Sequence, residues 1–454
     1  MESVPIRTDL ILNNDISRAL SLVRAFGNVV FISESFAQGE KLISETLMYL
    51  GNIKPDYQAV KLDIRALLNS GKHKAMASFQ SFLNGIKTDE EKNVLIINSL
   101  EEIAENFCLI SSLCGIIKKK TIPIIAFTNI EGFRKLEKIT VLSGSLAFIL
   151  SERKEIQTKR NKSVLIIGAT SLFGNSVYNL FKCEYAKVRG TGFSKASSLN
   201  FDKLDVTCEE DVMRYFSANP DFDIIIYVAG EADADAAEKN KERAYALNTD
   251  AVSFIAKYQK KCKFVYISSE YVFDGKTGPY ASDSLASPIN YYGHTKLEGE
   301  RVSLSGFSDV LVLRLGALYG YNGVNDKKTT VSKIISCLSK TEPLEVDNVQ
   351  IKHPILLEDA ARTLLRLLDY RISGVFQVNG QQGLNKQEMA EQIAAVYSEV
   401  TGTNFLFPII GIAQGQCAGK PLNTHMVNID TPRTFGEGIS FLLKKQRALK
   451  QGKQ

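Results

Sequence analysis

The chain has 454 residues, of which 44% are hydrophobic and 23% charged, and its formal net charge is +5. This length is enough for two or three domains with cores of their own. The small net charge gives no electrostatic argument for binding nucleic acid. Seven cysteines without a Cys-x-x-Cys pair favour reduced thiols, and they argue against a disulfide framework or a zinc site.

The sequence offers no signal for secretion or for a membrane. Its first residues lack the basic segment and the apolar core of a signal peptide. No apolar run is long enough to cross a bilayer, and the run at 122–127 predicts a buried strand at most. We therefore expect a cytoplasmic protein that does not act at a membrane.

The first 150 residues alternate strand and helix patterns, which predicts an α/β domain. Apolar runs predict strands at Asn28–Ser33, Asn93–Asn98 and 122–127. Helical periodicity predicts helices at 15–26, 38–50 and 100–117.

The order of these elements resembles that of a P-loop ATPase of the AAA type, with 33–41 at the place of the phosphate loop. The sequence departs from that pattern at the metal site. Leu42 follows Lys41 where a metal-binding hydroxyl belongs, and Asn98 replaces the expected acid. Without those ligands, magnesium-assisted hydrolysis has no machinery. We therefore expect a degenerate or structural α/β domain that does not hydrolyse ATP.

A polar, charged run at 151–161 predicts a linker between this domain and a second one at 162–454. Charge runs of this kind are usually solvated. A basic contact surface is the alternative interpretation.

The second domain opens with the pattern of a dinucleotide-binding turn. An apolar run at 163–167 leads into a glycine-containing turn at 168–174 and then into an amphipathic segment. Strand, glycine turn and helix form the context that a dinucleotide fingerprint requires. Gly168 allows the tight turn and Gly174 allows the helix to approach the strand. The candidate cofactor-binding residues of this turn are Gly168, Thr170, Ser171, Leu172, Phe173 and Gly174.

A serine at a strand end and a downstream Tyr-x-x-x-Lys predict a site that reduces a carbonyl or oxidises an alcohol. Tyr292 and Lys296 lie four residues apart, on one face of a predicted helix. We expect the Lys296 ammonium to favour the phenolate of Tyr292 and to lower its pKa. A tyrosine so tuned exchanges a proton with a carbonyl oxygen near neutral pH, and Ser269 can bond to the same oxygen. Such a site needs a hydride carrier.

With these motifs in the expected order, residues 162–445 resemble an extended short-chain dehydrogenase/reductase. They are most similar to the branch that contains dTDP-4-dehydrorhamnose reductase and the beta subunit of methionine adenosyltransferase. The resemblance implies a Rossmann-type doubly wound parallel sheet, with a small substrate-binding portion at 329–445. The motifs that carry it are 168–174, 204–207, 228–230, 235–238, 246–248, 268–275, 292–300, 313–320, 353–355 and 420–423.

The end of the second strand of this domain bears on the choice of cofactor. The segment 186–195 lacks the acid that NAD-specific sites place at the ribose. Ser194 and Lys195 would instead suit a 2′-phosphate, so we expect NADP(H), with NAD(H) as the alternative. The resemblance implies six further cofactor contacts: Asp205, Val206, Ala229, Gly230, Tyr292 and Lys296.

The resemblance implies a nucleotide-activated 4-keto deoxysugar as substrate. The segment 420–423 resembles an Arg-Pro-x-Asn element that holds the nucleotide, although its lysine loses the bidentate geometry of arginine. Arg314 follows a buried strand, where a phosphate contact and a structural salt bridge fit equally well. Glu231 stands where the rhamnose enzymes usually have tyrosine, which leaves the sugar open. The candidate substrate-binding residues are Tyr271, Arg314, Lys420 and Asn423.

The histidines give no sign of a metal site. His353 and His425 lack metal-ligand spacing, so we expect surface or loop positions for both. His294 lies between Tyr292 and Lys296 but should point away from them at helical spacing, towards solvent.

Two other functions use the same residues. The domain could bind NADP(H) without turnover and regulate a partner enzyme, with the N-terminal domain as the docking module. A nucleotide-sugar epimerase or dehydratase uses the same Ser/Tyr/Lys set. The sequence is also compatible with a homo-oligomer, and it does not decide among these alternatives.

Overall fold

The computed structural model describes five strands between residues 28 and 150. It then describes 159–451, except for 195, 197–199, 220, 322–328, 339–343, 370, 403–408, 413–419 and 431. The chain divides into two compact units, 1–154 with 427–431 and 155–426 with 432–454. Among the described residues, no helix is both long and apolar enough to cross a membrane.

The described part of the first unit is a parallel five-stranded sheet. Its strands are β1 (Asn28–Ser33), β2 (Gln58–Asp63), β3 (Asn93–Asn98), β4 (Ile124–Asn129) and β5 (Ala147–Leu150). They lie in the order β2-β3-β4-β1-β5. Leu95, Ile96 and Ile97 are fully buried, which is typical of an inner parallel strand covered on both faces.

The predicted strands β1 and β3 are confirmed residue for residue, whereas β2 and β5 were not predicted. The strand expected at 122–127 lies at Ile124–Asn129 instead, directly after Pro123, which has no N–H to donate to a ladder. The predicted helices and residues 34–42 lie outside the described residues. The expectation that this unit does not hydrolyse ATP therefore stays a prediction.

The second unit is built on a parallel seven-stranded sheet. Its strands are β6 (Arg160–Ile167), β7 (Tyr185–Gly192), β8 (Asp202–Lys203), β9 (Ile224–Tyr227), β10 (Lys263–Ser269), β11 (Asp309–Leu315) and β15 (Gly374–Val378). The order β15-β11-β10-β9-β6-β7-β8 confirms the Rossmann-type doubly wound fold. The direction of winding reverses between β6 and β9, and ligands of such sheets bind at the carboxyl ends of the strands at that point.

Helices cover this sheet and form much of the C-terminal portion. In the described part of the chain they are α1 (Leu172–Glu184), α2 (Glu209–Ala218), α3 (Ala234–Lys239), α4 (Lys241–Tyr245), α5 (Ala251–Tyr258), α6 (Tyr291–Gly306), α7 (Thr330–Leu338), α8 (Leu357–Asp369), α9 (Lys386–Thr401) and α10 (Phe435–Gln451). A π-helical turn at Ala246–Asp250 precedes α5, and a 3₁₀ turn at Glu270–Val272 follows β10.

Aromatic residues of β9 and β10 pack in the core of this unit and support the strand end at which the candidate site lies. Phe264 of β10 stacks on Phe307 at a centroid distance of 3.9 Å, and Tyr227 of β9 stacks on Tyr266 at 6.1 Å. The Tyr266 hydroxyl donates to the Asn248 carbonyl at 2.8 Å, so this buried polar atom is satisfied. Tyr266 therefore has a fixed position in the core against which α6 packs.

A second core holds the C-terminal portion together. Tyr319, Leu338, Ile393, Ile439 and Leu442 pack there in one cluster. Two short parallel pairs flank it, β12 (Leu318–Tyr319) with β14 (Ile355–Leu356) and β13 (Leu344–Asp347) with β16 (Ile409–Ile412).

An isolated bridge between Tyr280 and Met426 joins this portion to the loop that follows β10. The Asn423 N–H also donates to the Gly275 carbonyl of that loop at 3.2 Å. Within the portion, Asn423 pairs with Ile351 and Lys352 pairs with Leu384, so the segments around Lys352 and Asn423 are held together near the end of β10.

The predicted linker ends earlier than expected, because β6 begins at Arg160. The Arg160 guanidinium donates to the Asp369 carboxylate at 2.8 and 2.7 Å and also pairs with Glu184. Arg160 thus ties β6 to the ends of α1 and α8. A charge in a polar run gives no local sign of such distant partners.

We expect Arg160→Met to destabilise the second unit by on the order of 2 kcal/mol, because it leaves the mostly buried Asp369 carboxylate unpaired. Thermal unfolding measures the loss. Arg214→Met is the matched control, since Arg214 is 75% exposed and pairs with Asp211 at the surface; such surface pairs contribute little. Equal effects of the two substitutions would contradict the account.

Candidate active site

The glycine turn after β6 has the geometry that close backbone approach requires. Gly168 has a φ of +90°, and a Cβ there would lie 2.5 Å from the Ala229 nitrogen. A Cβ at Gly174 would lie 2.2 Å from the Gly168 carbonyl oxygen. Ser171 caps α1 by accepting from the Gly174 N–H at 3.0 Å. The turn therefore presents the N-terminus of α1 at the carboxyl edge of the sheet, a natural seat for a pyrophosphate.

The other candidate cofactor residues line this same edge. Ala169 and Gly168 donate to the Thr191 carbonyl at 2.8 and 3.1 Å, which ties the turn to β7. Val206 is buried. The Asp205 carboxylate accepts from the backbone and hydroxyl of Thr207 at 3.0 and 2.6 Å.

The second-strand residues expected at a 2′-phosphate are placed only in part. Ser194 is exposed just after β7, and Lys195 lies outside the described residues. Gly230 lies close to the lysine of the triad, because a Cβ there would be 4.0 Å from the Lys296 Nζ and 2.5 Å from the Asn248 Oδ1.

Ser269, Tyr292 and Lys296 come together at the end of β10. Asn290 caps α6 by accepting from the Gly293 N–H at 2.8 Å. A Cβ at Gly293 would lie 2.1 Å from the Tyr271 carbonyl oxygen, so only glycine lets the helix start directly on the 3₁₀ turn. This close approach brings the hydroxyl of Tyr292 near that of Ser269, which acts to lower the pKa of Tyr292.

Lys296 lies deep in the seam between β10 and α6, with an exposed fraction of 5%. Its Nζ donates to the Ile267 carbonyl at 2.5 Å and lies 4.3 Å from the centroid of the Tyr266 ring. Burial lowers the pKa of Lys296 to about 7, and the nearby Glu300 carboxylate opposes that change.

The structure corrects the expectation that Lys296 lowers the pKa of Tyr292. Burial raises the pKa of Tyr292 to about 12, the nearby Ser269 hydroxyl opposes this, and the charges of Tyr271, Glu270 and Glu231 add to it. The physical reason is that burial disfavours the phenolate, and the Lys296 ammonium, which donates to the Ile267 carbonyl, is not among the groups that offset this cost. Tyr292 therefore stays protonated at neutral pH.

The contacts of Arg314 favour a structural salt bridge, which is one of the two roles that the sequence left open. It is 4% exposed, and its Nε and Nη2 donate to the Glu300 carboxylate at 2.9 and 2.7 Å. A third donor, Nη1, reaches the Ser282 carbonyl at 3.1 Å. A contact between Arg314 and a substrate phosphate therefore stays a prediction, whereas the salt bridge with Glu300 is present in the structure.

Each of the remaining candidate substrate residues has a partner in the structure. The Tyr271 ring meets the Tyr292 ring edge-on at a centroid distance of 5.6 Å. The Asn423 Oδ1 lies 3.3 Å from the His353 Nε2. Lys420 pairs with Asp235 at 2.7 Å, so this cation already has a carboxylate partner.

Two residues that the sequence analysis missed lie against Tyr271. The Lys352 Nζ donates to the Glu270 Oε1 at 2.8 Å and lies 4.1 Å from the Tyr271 ring centroid. Glu270 is 2% exposed. Because Glu270 directly follows Ser269, the sequence alone could have indicated it as a site residue. Lys352 is brought to the site only by the fold of the C-terminal portion.

His353 and His425 lie in loops, as expected, but His353 is buried and does not lie at the surface. Their rings stack at a centroid distance of 4.5 Å, and burial lowers the pKa of both to about 4. Both belong to segments that the fold packs beside each other, which histidine spacing does not reveal. His294 is exposed as expected and lines a cleft of about 480 Å³ on the outer face of α6.

We expect Lys296→Met to stabilise the fold, most strongly at low pH. The folded chain binds fewer protons than the unfolded chain between about pH 7 and the ordinary lysine value of 10.5, so the cost of Lys296 is complete below pH 7 and fades as pH rises towards 10.5. The gain should be on the order of 3 kcal/mol near pH 6. Thermal unfolding against pH measures it.

Lys257→Met is the control, because Lys257 is 54% exposed and pairs with Glu209 at the surface. A Lys296→Met gain that is the same at pH 6 and pH 9 would contradict the burial argument.

Comparisons with known proteins agree with this geometry. Methionine adenosyltransferase 2 subunit beta from Danio rerio is 29% identical over 282 residues, which cover 61% of this chain and 85% of that protein. A probable low-salt glycan biosynthesis reductase from Haloferax volcanii is 30% identical over 237 residues, covering 51% and 79% respectively.

Solved structures share the fold of the second unit. The dTDP-4-dehydrorhamnose reductase from Bacillus anthracis, in complex with NADP, aligns with a TM-score of 0.55 and 22% identity over 64% of this chain and 100% of that one. Residues 162–448 match the family described as the RmlD substrate binding domain. The match spans the sheet, the triad and the C-terminal portion, and the chain therefore belongs to the RmlD substrate binding domain family.

Proposed function

We propose that this protein is an NADPH-dependent reductase of a nucleotide-activated 4-keto sugar, with Tyr292 as the proton donor. The observation that carries the proposal is the assembly of Ser269, Tyr292 and Lys296 at the carboxyl end of β10, beside the glycine turn. This is the edge of a doubly wound sheet at which ligands bind. Membership of the RmlD substrate binding domain family supports the same choice.

The chain offers a seat for each end of the cofactor. The pyrophosphate would lie on Gly168, Ser171 and Gly174 at the start of α1, and Lys296 would hold the nicotinamide ribose. Bound NADPH would supply the hydride.

Tyr292 and Ser269 act on the carbonyl oxygen of the substrate. Tyr292 donates its proton to that oxygen as negative charge develops there. Its raised pKa keeps the proton in place at neutral pH, which suits a donor. The Ser269 hydroxyl donates to the same oxygen and fixes its position. The buried setting strengthens both hydrogen bonds, because little water competes for them.

The C-terminal portion would hold the nucleotide sugar. Tyr271, which packs on Tyr292, and Asn423 would contact the sugar nucleotide, and Lys420 would exchange Asp235 for a substrate phosphate. The buried pair of Lys352 and Glu270 borders the same space. The presence of Glu231 in place of a tyrosine points to a sugar other than the rhamnose precursor.

We expect Tyr292→Phe to lower turnover by about 10²–10⁴-fold, because it removes the general acid and keeps the ring. The affinity for NADPH should change little. Stopped-flow absorbance of NADPH with a 4-keto sugar nucleotide gives the rate, and fluorescence titration gives the affinity. Tyr291→Phe is the matched control, since the Tyr291 ring lies under Lys241 on the outer face. Full activity of Tyr292→Phe would exclude the proposed role.

We expect Lys195→Ala to weaken binding of NADPH and to leave binding of NADH nearly unchanged. The reason is that only NADPH carries the 2′-phosphate that Ser194 and Lys195 would bind. Calorimetric titration with both cofactors measures the difference. Equal losses for both would mean that Lys195 does not contact this phosphate.

A second candidate is a subunit that binds NADP(H) without turnover and regulates a partner enzyme. The similarity to methionine adenosyltransferase 2 subunit beta favours this second function. In this case residues 1–150 would form the docking domain. Binding of NADPH without consumption by any keto sugar, together with a co-purifying enzyme, would favour this role over the reductase.

A further inference from the structure

Glu300 is a buried carboxylate that the catalytic motif does not include. It lies on α6 one turn beyond Lys296 and is 2% exposed. Ser268 donates to its Oε1 at 2.5 Å, and Arg314 donates to both carboxylate oxygens. A carboxylate this deeply buried is costly unless several donors satisfy it.

Neighbouring residues of β10 bind α6 at two successive turns of the helix. The Ile267 carbonyl accepts from Lys296, and the Ser268 hydroxyl donates to Glu300. Any slip of α6 along β10 would break both hydrogen bonds together.

Glu300 also contacts the neighbouring strand, β11. Arg314 of β11 is the register partner of Ser268, so both donors to Glu300 lie side by side near the carboxyl ends of these two strands. The carboxylate therefore joins β10, β11 and α6 at one point. Lys296 and Glu300 lie four residues apart on the same face of α6 and contact the neighbouring strand residues Ile267 and Ser268, so the carboxylate lies one turn from the ammonium. Its charge there opposes the effect of burial on the pKa of Lys296.

We propose that Glu300 is a positioning residue for Lys296, and that Arg314 and Ser268 hold its carboxylate where it stabilises the ammonium form. The kinetic part of this inference rests on the proposed reductase function, whereas its electrostatic part does not. The charged or titratable side chains described around Lys296 and Tyr292 are Glu300, Arg314, Tyr266, Tyr271, Glu270 and Glu231.

A purely structural salt bridge makes a different prediction from an electrostatic one. If the pair only supports the fold, loss of either partner weakens the protein in the same direction. If its charges act on Lys296, Glu300→Gln lowers the pKa of the lysine and Arg314→Gln raises it. The double substitution should return the pKa close to that of the parent, because both charges are gone.

The test is an NMR titration of the full-length protein labelled with ¹³C and ¹⁵N in lysine, without cofactor or substrate. The Lys296 signal is identified by its loss in Lys296→Met. The midpoint of the parent should lie at about 7, and Glu300→Gln should lower it by about one unit. Glu298→Gln is the matched control, since Glu298 is a surface carboxylate of the same helix that pairs with Arg301.

The same shift should appear in the rate. The pH at which turnover declines on the alkaline side should fall in Glu300→Gln by as much as the NMR midpoint, whereas a structural defect would scale the whole profile without moving it. Glu300→Asp keeps the charge and should retain most of the parent midpoint. If Arg314→Gln does not fold, the comparison of Glu300→Asp with Glu300→Gln still tests whether the carboxylate charge sets the pKa of Lys296.

A Lys296 midpoint unchanged in Glu300→Gln, or shifted in the same direction by Glu300→Gln and Arg314→Gln, overturns the inference. A midpoint that shifts as expected in a protein that reduces no keto sugar leaves the inference standing and refutes the reductase instead.

Discussion

The burial of the Lys296 ammonium between a strand and a helix is the constraint on which the candidate site depends. A cation in a dry interior is unfavourable unless hydrogen-bond acceptors and negative charges are placed around it. The Ile267 carbonyl, the face of Tyr266 and the Glu300 carboxylate provide that surrounding. Each is fixed by the sheet or by α6, so the parallel sheet and the capped helix serve to hold one charge beside Tyr292.

This constraint explains why the local motifs were predictable and their electrostatics were not. The identities of Ser269, Tyr292 and Lys296 follow from a strand end and a helical spacing, which are short-range patterns. The direction of the Tyr292 pKa shift depends on how deeply the fold buries the hydroxyl and on which atom the lysine contacts. Likewise, the partners of Arg314 and Lys352 come from distant segments, and no local pattern announces them.

The fold likewise has elements that local sequence patterns predict and elements that they do not. The doubly wound sheet follows from the glycine turn and the order of motifs, and continuous apolar runs predict β1 and β3. The strand β2, with its mixed sequence Gln-Ala-Val-Lys-Leu-Asp, and the short β5 have weak local signals. Arg160 belongs to a polar run by sequence, yet it is a strand residue because Asp369 and Glu184 lie where its guanidinium can reach them.

The most direct test of the account follows the hydride itself. The protein would be incubated with NADPH that carries deuterium at the transferable position of C4 and with a panel of nucleotide-activated 4-keto sugars. Mass spectrometry of the sugar products then reports where the deuterium goes. The account predicts a product alcohol with one deuterium on the former carbonyl carbon. NADPH that binds but transfers no deuterium to any sugar would contradict the reductase and leave the regulatory subunit as the better description.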